Sequence, residues 1–177
     1  ADDFICALEG VIARHDILRT AILWEALPEP MQVVYREAQL PVTQVTLKGN
    51  DGEKELRTYI DPRRHRLDIR KAPLMQGFVA EDKSKDRWLL GLVCHHLTSD
   101  QTTLERIIEE VRAHIAGETD RLPPALPFRN FVARARLGVS REEHDAFFRK
   151  MLKDVDEPTV PFGLTDIKGD GTGIAAA

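Results

Sequence analysis

Two adjacent histidines, His95 and His96, close an apolar run that begins at Trp88 (WLLGLVC), and Asp100 follows four residues after the second. Imidazole is the side chain whose ordinary pKa lets it take up or release a proton near neutrality. A histidine pair delivered from a buried strand end into a turn therefore has the parts of an acid–base site. Alternation along the strand puts Leu90, Leu92, Cys94 and His96 on one face and Leu89, Val93 and His95 on the other. The two rings then point opposite ways and serve different purposes. Asp100 can fix the turn, meet an arginine or serve a helix N-terminus, and Thr98 and Gln101 have capping-box spacing. Taken alone, HxxxD spacing equally suits a core histidine, a surface histidine and a helix cap.

Other chemistry-bearing residues are scattered. His15, His65, His114 and His144 share no spacing. His96 and Asp100 lack a third ligand and Cys6 and Cys94 stand far apart, which argues against a metal centre. The cysteines sit in apolar surroundings and read as two reduced, buried thiols. The basic run Asp61-Pro62-Arg63-Arg64-His65-Arg66, continuing to Arg70-Lys71, reads first as a solvated face and second as a surface for an acidic partner or a phosphate. Arg134 and Arg136 read similarly. Phe128, Phe131, Phe147, Phe148 and Phe162 are expected to pack helices against a sheet. Gly169-Asp170-Gly171-Thr172-Gly173 looks like a phosphate loop but lacks the preceding strand, the lysine and the following helix.

Order along the chain narrows the reading. Arg14-His15-Asp16-Ile17-Leu18-Arg19-Thr20 comes first, His65-Arg66-Leu67-Asp68-Ile69-Arg70-Lys71-Ala72-Pro73-Leu74 follows, and His95-His96-Leu97-Thr98-Ser99-Asp100 closes the series. This resembles the condensation domain of non-ribosomal peptide synthetases, whose HHxxxDG motif is preceded by an RHxxLRT segment. The resemblance runs from about residue 4 to about residue 164. Residues 1–164 then form an N-terminal lobe lacking its start, and 165–177 a linker towards a second lobe. The implied fold class is α+β, a chloramphenicol-acetyltransferase-like lobe with a mixed β-sheet covered by helices.

The resemblance implies joining of a carrier-bound acyl or peptidyl thioester to a carrier-bound amino acid. It makes His96 the catalytic residue. It gives His95, Asp100, Arg19, Arg14 and Gln101 site-shaping roles, with no metal. Asp100 is expected to pair with an arginine of the RHDILRT segment, Arg19 before Arg14. Gln101 stands where the family has glycine and is expected to narrow the tunnel beside His96. No cofactor is bound directly, since the substrates ride on phosphopantetheine arms. The implied partners are donor and acceptor peptidyl carrier domains, the second lobe and a neighbouring adenylation domain, in the cytoplasm. Rival readings are another HHxxxD acyltransferase, an epimerization domain, or a degenerate carrier-docking module. The lobe alone is expected to be inactive.

The 177 residues suit one domain or lobe, and 42% hydrophobic with 31% charged residues is ordinary for a chain that buries a core. A net charge of -4 and the lack of a basic arm exclude a dedicated nucleic-acid binder. No apolar run reaches the length of a membrane span, and no signal-peptide pattern opens the chain. Apolar periodicity predicts helices over 3–15, 53–60, 102–116, 128–137 and 141–155, the last with a Ser140/Glu143 capping box. Strands are predicted over 17–25, 31–36, 42–47, 74–81 and 87–95, the first two as a hairpin.

Overall fold

The computed structural model describes residues 1–63, 65–157 and 160. The chain divides into two compact units, Ala1–Phe131 and Val132–Ala177.

In the first unit, helix α1 (Asp2–Arg14) runs into a 3-10 turn (Asp16–Arg19) and then strand β1 (Thr20–Leu23). The expected strand over 17–25 is thus half turn. Leu18 N–H bonds the His15 carbonyl, and the Thr20 hydroxyl donates to the Asp16 carbonyl at 2.8 Å. Local side-chain bonding of this kind diverts a β-branched run from extended structure. Strand β2 (Met31–Val34) pairs antiparallel with β1, as the hairpin reading expects.

A three-stranded sheet has the order β3 (Val42–Val45), β4 (Met75–Asp82), β5 (Arg87–Cys94). Strands β3 and β4 are parallel, which requires a crossover; helix α2 (Gly52–Tyr59) supplies it. Strands β4 and β5 form an antiparallel hairpin in which Met75 opposes Cys94 and Asp82 opposes Arg87.

Period-two alternation divides this sheet's contacts between two cores. On one face Met75 packs with Leu8, Val11 and Ile12 of α1 and Ile107 and Val111 of helix α3 (Gln101–Ile115), joined by Leu92 and Cys94. On the other, Val45, Phe78 and Ala80 pack with Leu56 of α2, joined by Ile60, Leu89 and Val93. The face assignments read from the sequence for β5 hold at these positions. The sheet is mixed and covered by helices, the α+β lobe that the resemblance implies. Packing on both faces fixes β5 and with it the residues that leave its end.

Helix α4 (Phe128–Leu137) spans the boundary between units, and α5 (Arg141–Met151) lies in the second. The Ser140/Glu143 capping box is present in both directions. Gly138 ends α4 where an added Cβ would sit 2.6 Å from the Arg134 carbonyl oxygen, so only glycine fits. The phenylalanine expectation needs correction. Neither α4 nor α5 has a buried residue, and Phe131, Phe147 and Phe148 are 65, 58 and 51% exposed. Phe147 and Phe148 meet edge to face at 5.2 Å, and Phe128 and Phe131 tilt together at 5.4 Å. Phe162, the 165–177 segment and its glycine-rich stretch lie outside the described residues.

Candidate active site

The strand ladder carries one residue past β5, where His95 N–H bonds the Leu74 carbonyl at 3.0 Å. The His95 carbonyl then accepts from Thr98 N–H (3.0 Å), Thr98 Oγ1 (3.3 Å) and Ser99 Oγ (3.2 Å). This knot sets the turn and buries Thr98 and Ser99. The His95 ring is used locally: its Nδ1 accepts from Leu97 N–H at 3.1 Å. The His95 ring thus takes part in building the turn.

His96 emerges on the other side. Its Nδ1 lies 3.1 Å from the Ser99 carbonyl oxygen. A carbonyl only accepts, so Nδ1 carries the proton and Nε2 of the neutral ring keeps its lone pair. The ring borders a cleft of about 640 Å³ that Leu92 and Cys94 of β5, Ile60 and Arg57 beside α2, and Leu104 and Ile108 of α3 also line. Burial pushes the Cys94 thiol up to about 11, so it is a neutral wall of the cleft and no nucleophile. Cys6 corrects the expectation of two buried thiols: it is exposed on α1, while Ala7 and Leu8 turn inward.

Asp100 is the N-cap of α3. Its Oδ1 accepts from Thr103 N–H at 2.8 Å and from Thr103 Oγ1 at 2.7 Å. The Thr103 hydroxyl first, then its N–H, hold the Asp100 carboxyl below the usual range; the nearby His96 adds a smaller electrostatic pull. The cap falls to Asp100 and not to the Thr98/Gln101 pair, because Thr98 is spent on the His95 carbonyl.

The expected Asp100–arginine pair is not formed. Arg19 donates to backbone carbonyls instead: Nε to Ala13 at 3.1 Å, and Nη1 to Tyr35 and to Arg36, the latter at 3.1 Å. It staples the end of α1 to the end of β2. Arg14 donates to the Pro123 carbonyl and pairs with Glu110 of α3 at 3.5 Å. Glu110 also accepts from His15 Nε2 at 2.8 Å. With these carbonyls and Glu110 in reach, neither guanidinium is left for an aspartate that two Thr103 donors already satisfy. The RHDILRT segment still meets the turn, because His15 and Leu18 share a cavity of about 280 Å³ with Asp100. Gln101 Nε2 donates to Glu105 at 3.0 Å along α3, and Gln101 is not part of the cleft lining.

The basic run is neutralised from within. Arg63 forms a fork with Asp61, and Arg70 engages both Asp68 and Glu25. The solvated-face reading fits; Arg64 lies outside the described residues. Sequence reasoning missed Ser99, Glu110, and Asp16, whose two carboxylate oxygens accept from Phe128 N–H at 3.0 Å. Glu110 did carry a signal, standing three residues after the buried Ile107 and so flanking the core stripe of α3.

A mixed sheet between helices, with an open cleft at the histidine-bearing strand end, defines a chloramphenicol-acetyltransferase-like lobe. The chain belongs to the condensation-domain family, whose profile, described as Condensation domain, matches residues 1–162. It is 46% identical over 175 residues to malpinin synthetase of Mortierella alpina, covering 98% of this chain and 2% of that protein. It is 41% identical over 175 residues to malpibaldin synthetase of the same organism, covering 98% of this chain and 3% of that protein. The chain thus spans only a few per cent of the length of these curated relatives. Among solved structures, the X-domain in complex with OxyB from teicoplanin biosynthesis matches with a TM-score of 0.70 at 22% identity, over 90% of this chain and 36% of that one. The enacyloxin condensation-domain structure matches with a TM-score of 0.63 at 24% identity, over 89% of this chain and 32% of that one. At these identities the likeness is one of fold.

Proposed function

We propose that this chain is the first lobe of an amide-forming condensation domain in a modular peptide synthetase, with His96 as its catalytic residue. Residues 1–164 make the lobe and 165–177 lead to the second. The observation that carries the reading is the Nδ1–H bond of His96 to the Ser99 carbonyl at 3.1 Å, which leaves Nε2 free as a hydrogen-bond acceptor beside an open cleft.

The chemistry follows from that lone pair. The acceptor amine attacks the thioester carbonyl carbon, forming the C–N bond and pushing the carbonyl electrons onto oxygen. Nε2 takes the proton that the nitrogen sheds. The tetrahedral intermediate collapses, the C–S bond breaks, and the departing thiolate takes the proton back from Nε2–H. Because an α-amine has a pKa of about 7.7–8.0, part of it is already free at neutral pH. Positioned acid–base help contributes roughly 10²–10⁴-fold, whereas alignment of two reactants can contribute up to about 7–11 kcal/mol. His96 therefore orients and polarises as much as it abstracts. His95, Asp100, Arg19 and Arg14 hold the turn and its neighbours in place.

Both substrates come on phosphopantetheine arms of donor and acceptor carrier domains, and an adenylation domain of the same cytoplasmic assembly supplies the activated amino acid. No helix among the described residues is long and apolar enough to cross a membrane. One lobe cannot align two arms, so these 177 residues alone do not turn over. The test is reconstitution of the complete domain with loaded carriers. Amide product that disappears with His96→Ala supports the reading. Product at an unchanged rate in that variant overturns the role of His96.

A further inference from the structure

The cleft beside His96 has a chemical bias. Most of its lining is apolar, with Phe4, Ile60, Met75, Leu92, Leu104 and Ile108 among the walls; Ser99 also lines it, with its hydroxyl tied to the His95 carbonyl and its carbonyl to His96. Its basic lining residue, Arg57, is already occupied, donating to Glu53 one turn back on α2 at 3.1 Å. Cys94 is present as the neutral thiol. Ile108 is 44% exposed and stands at the rim, within reach of an incoming group. About 640 Å³ falls within the ~300–1,000 Å³ typical of small-molecule sites. That is ample for a side chain or a short acyl chain.

We propose that this cleft is a specificity subsite: the group delivered to His96 carries an aliphatic or aromatic side chain that lies against Ile60, Leu104 and Ile108. The inference rests on His96 being the reacting histidine and adds the substrate class. A cationic side chain finds no carboxylate among the residues that line the cleft. An anionic one shares Arg57 with Glu53, in an exposed pair that contributes little. A polar side chain brought here loses water and meets, besides Arg57, only the Ser99 groups already bonded to His95 and His96 and the Nε2 that the reaction uses, so it is disfavoured. The wall is contributed by α1, α3, β4, β5 and the end of α2, elements whose inner faces are packed into the two cores.

The experiment loads the acceptor carrier with leucine, phenylalanine, asparagine or lysine, and in a second arm varies the donor acyl group in the same way. The complete domain is assayed as wild type and as Ile108→Glu. Discrimination of about 10²-fold in kcat/KM for leucine and phenylalanine over lysine in one arm is expected. Ile108→Glu should narrow that gap by raising the lysine rate. Equal rates across all four groups in both arms overturn the subsite while leaving the condensation reading standing.

A binding readout separates the opposite failure. If no pairing gives amide, the catalytic reading falls, and the subsite is read from methyl resonances of Ile60 and Ile108 on titration with leucinamide and lysinamide. Shifts with leucinamide alone sustain it. Shifts with both equally, or with neither, overturn it.

Discussion

The Ser99 carbonyl accepts from His96 Nδ1 at 3.1 Å, so the turn that follows β5 selects the tautomer of the ring that it displays. Ser99 is in turn buried and tied to the His95 carbonyl through its hydroxyl. Backbone, not a carboxylate, thus orients this imidazole. Nitrogen NMR of the lobe should show neutral His96 protonated at Nδ1. Replacement by alanine in the complete domain should lower kcat roughly 10²–10⁴-fold, with little change in Tm, because the ring is exposed. An Nε2–H tautomer would remove the physical basis for proton transfer at that atom.

Asp100 acts first on α3. Asparagine caps nearly as well as aspartate and alanine does not, so Asp100→Asn should keep most of the thermal stability that Asp100→Ala loses. The folded carboxyl is held low by the Thr103 hydroxyl and N–H. A depressed folded pKa contributes stability that is fully present above the unfolded value, near about 3.9. It is lost as pH falls through the lowered folded value. Wild type should therefore lose stability relative to Asp100→Asn only below about pH 4. Parallel Tm curves for the two proteins down through that window would mean that the Thr103 bonds hold no proton-linked energy.

Arg19 and Asp100 make separate contacts, the first with the carbonyls of Ala13, Tyr35 and Arg36 and the second with Thr103. Removing Arg19 leaves those carbonyls without a charged donor, a loss of about 1.5–3 kcal/mol. Arg19→Lys should recover little, because a single ammonium cannot reproduce the fork. In a double-mutant cycle the losses from Arg19→Ala and Asp100→Ala should simply add. Strong coupling would restore the direct ion pair that the family resemblance implies.

How far these contacts could be read from the sequence depends on their range. Period-two alternation gave the faces of Leu89, Leu92, Val93 and Cys94, and the local pattern placed α4 and the Ser140/Glu143 box. These are properties of near neighbours. The Asp16–Phe128 and His15–Glu110 bonds join residues 112 and 95 positions apart, and no local pattern encodes such a partner. The 3-10 turn at Asp16–Arg19 was hidden by an apolar run that suits strand equally well. The arginines misled for a different reason: a motif records which residues recur together, not whether a guanidinium bonds a carboxylate or a carbonyl. The cleft walls Ile60, which caps α2, and Ile108 of α3 look like ordinary stripe residues until the two helices are placed along β5.

Gly10 and His114 offer a test of the packing that supports β5. Gly10 lies within α1, where alanine would ordinarily be worth about 1 kcal/mol more than glycine. An added Cβ, however, would come 2.6 Å from His114 Cε1 and 2.8 Å from its Nδ1 on α3. The ring cannot remain where it is, and overpacking of this kind typically costs about 1–3 kcal/mol. Its Nε2 is buried with no hydrogen-bond partner among the described residues, so the ring holds its place by shape and not by bonding. Gly10→Ala should therefore be neutral to destabilising by urea unfolding, against its helix propensity. His114→Ala opens the space that the new methyl group needs. The pair Gly10→Ala with His114→Ala should then be more stable than the sum of the single changes predicts, by about 0.5–3 kcal/mol. Strict additivity would mean that α1 and α3 do not meet at this point, and the floor beneath Leu92 and Cys94 would have to be placed elsewhere.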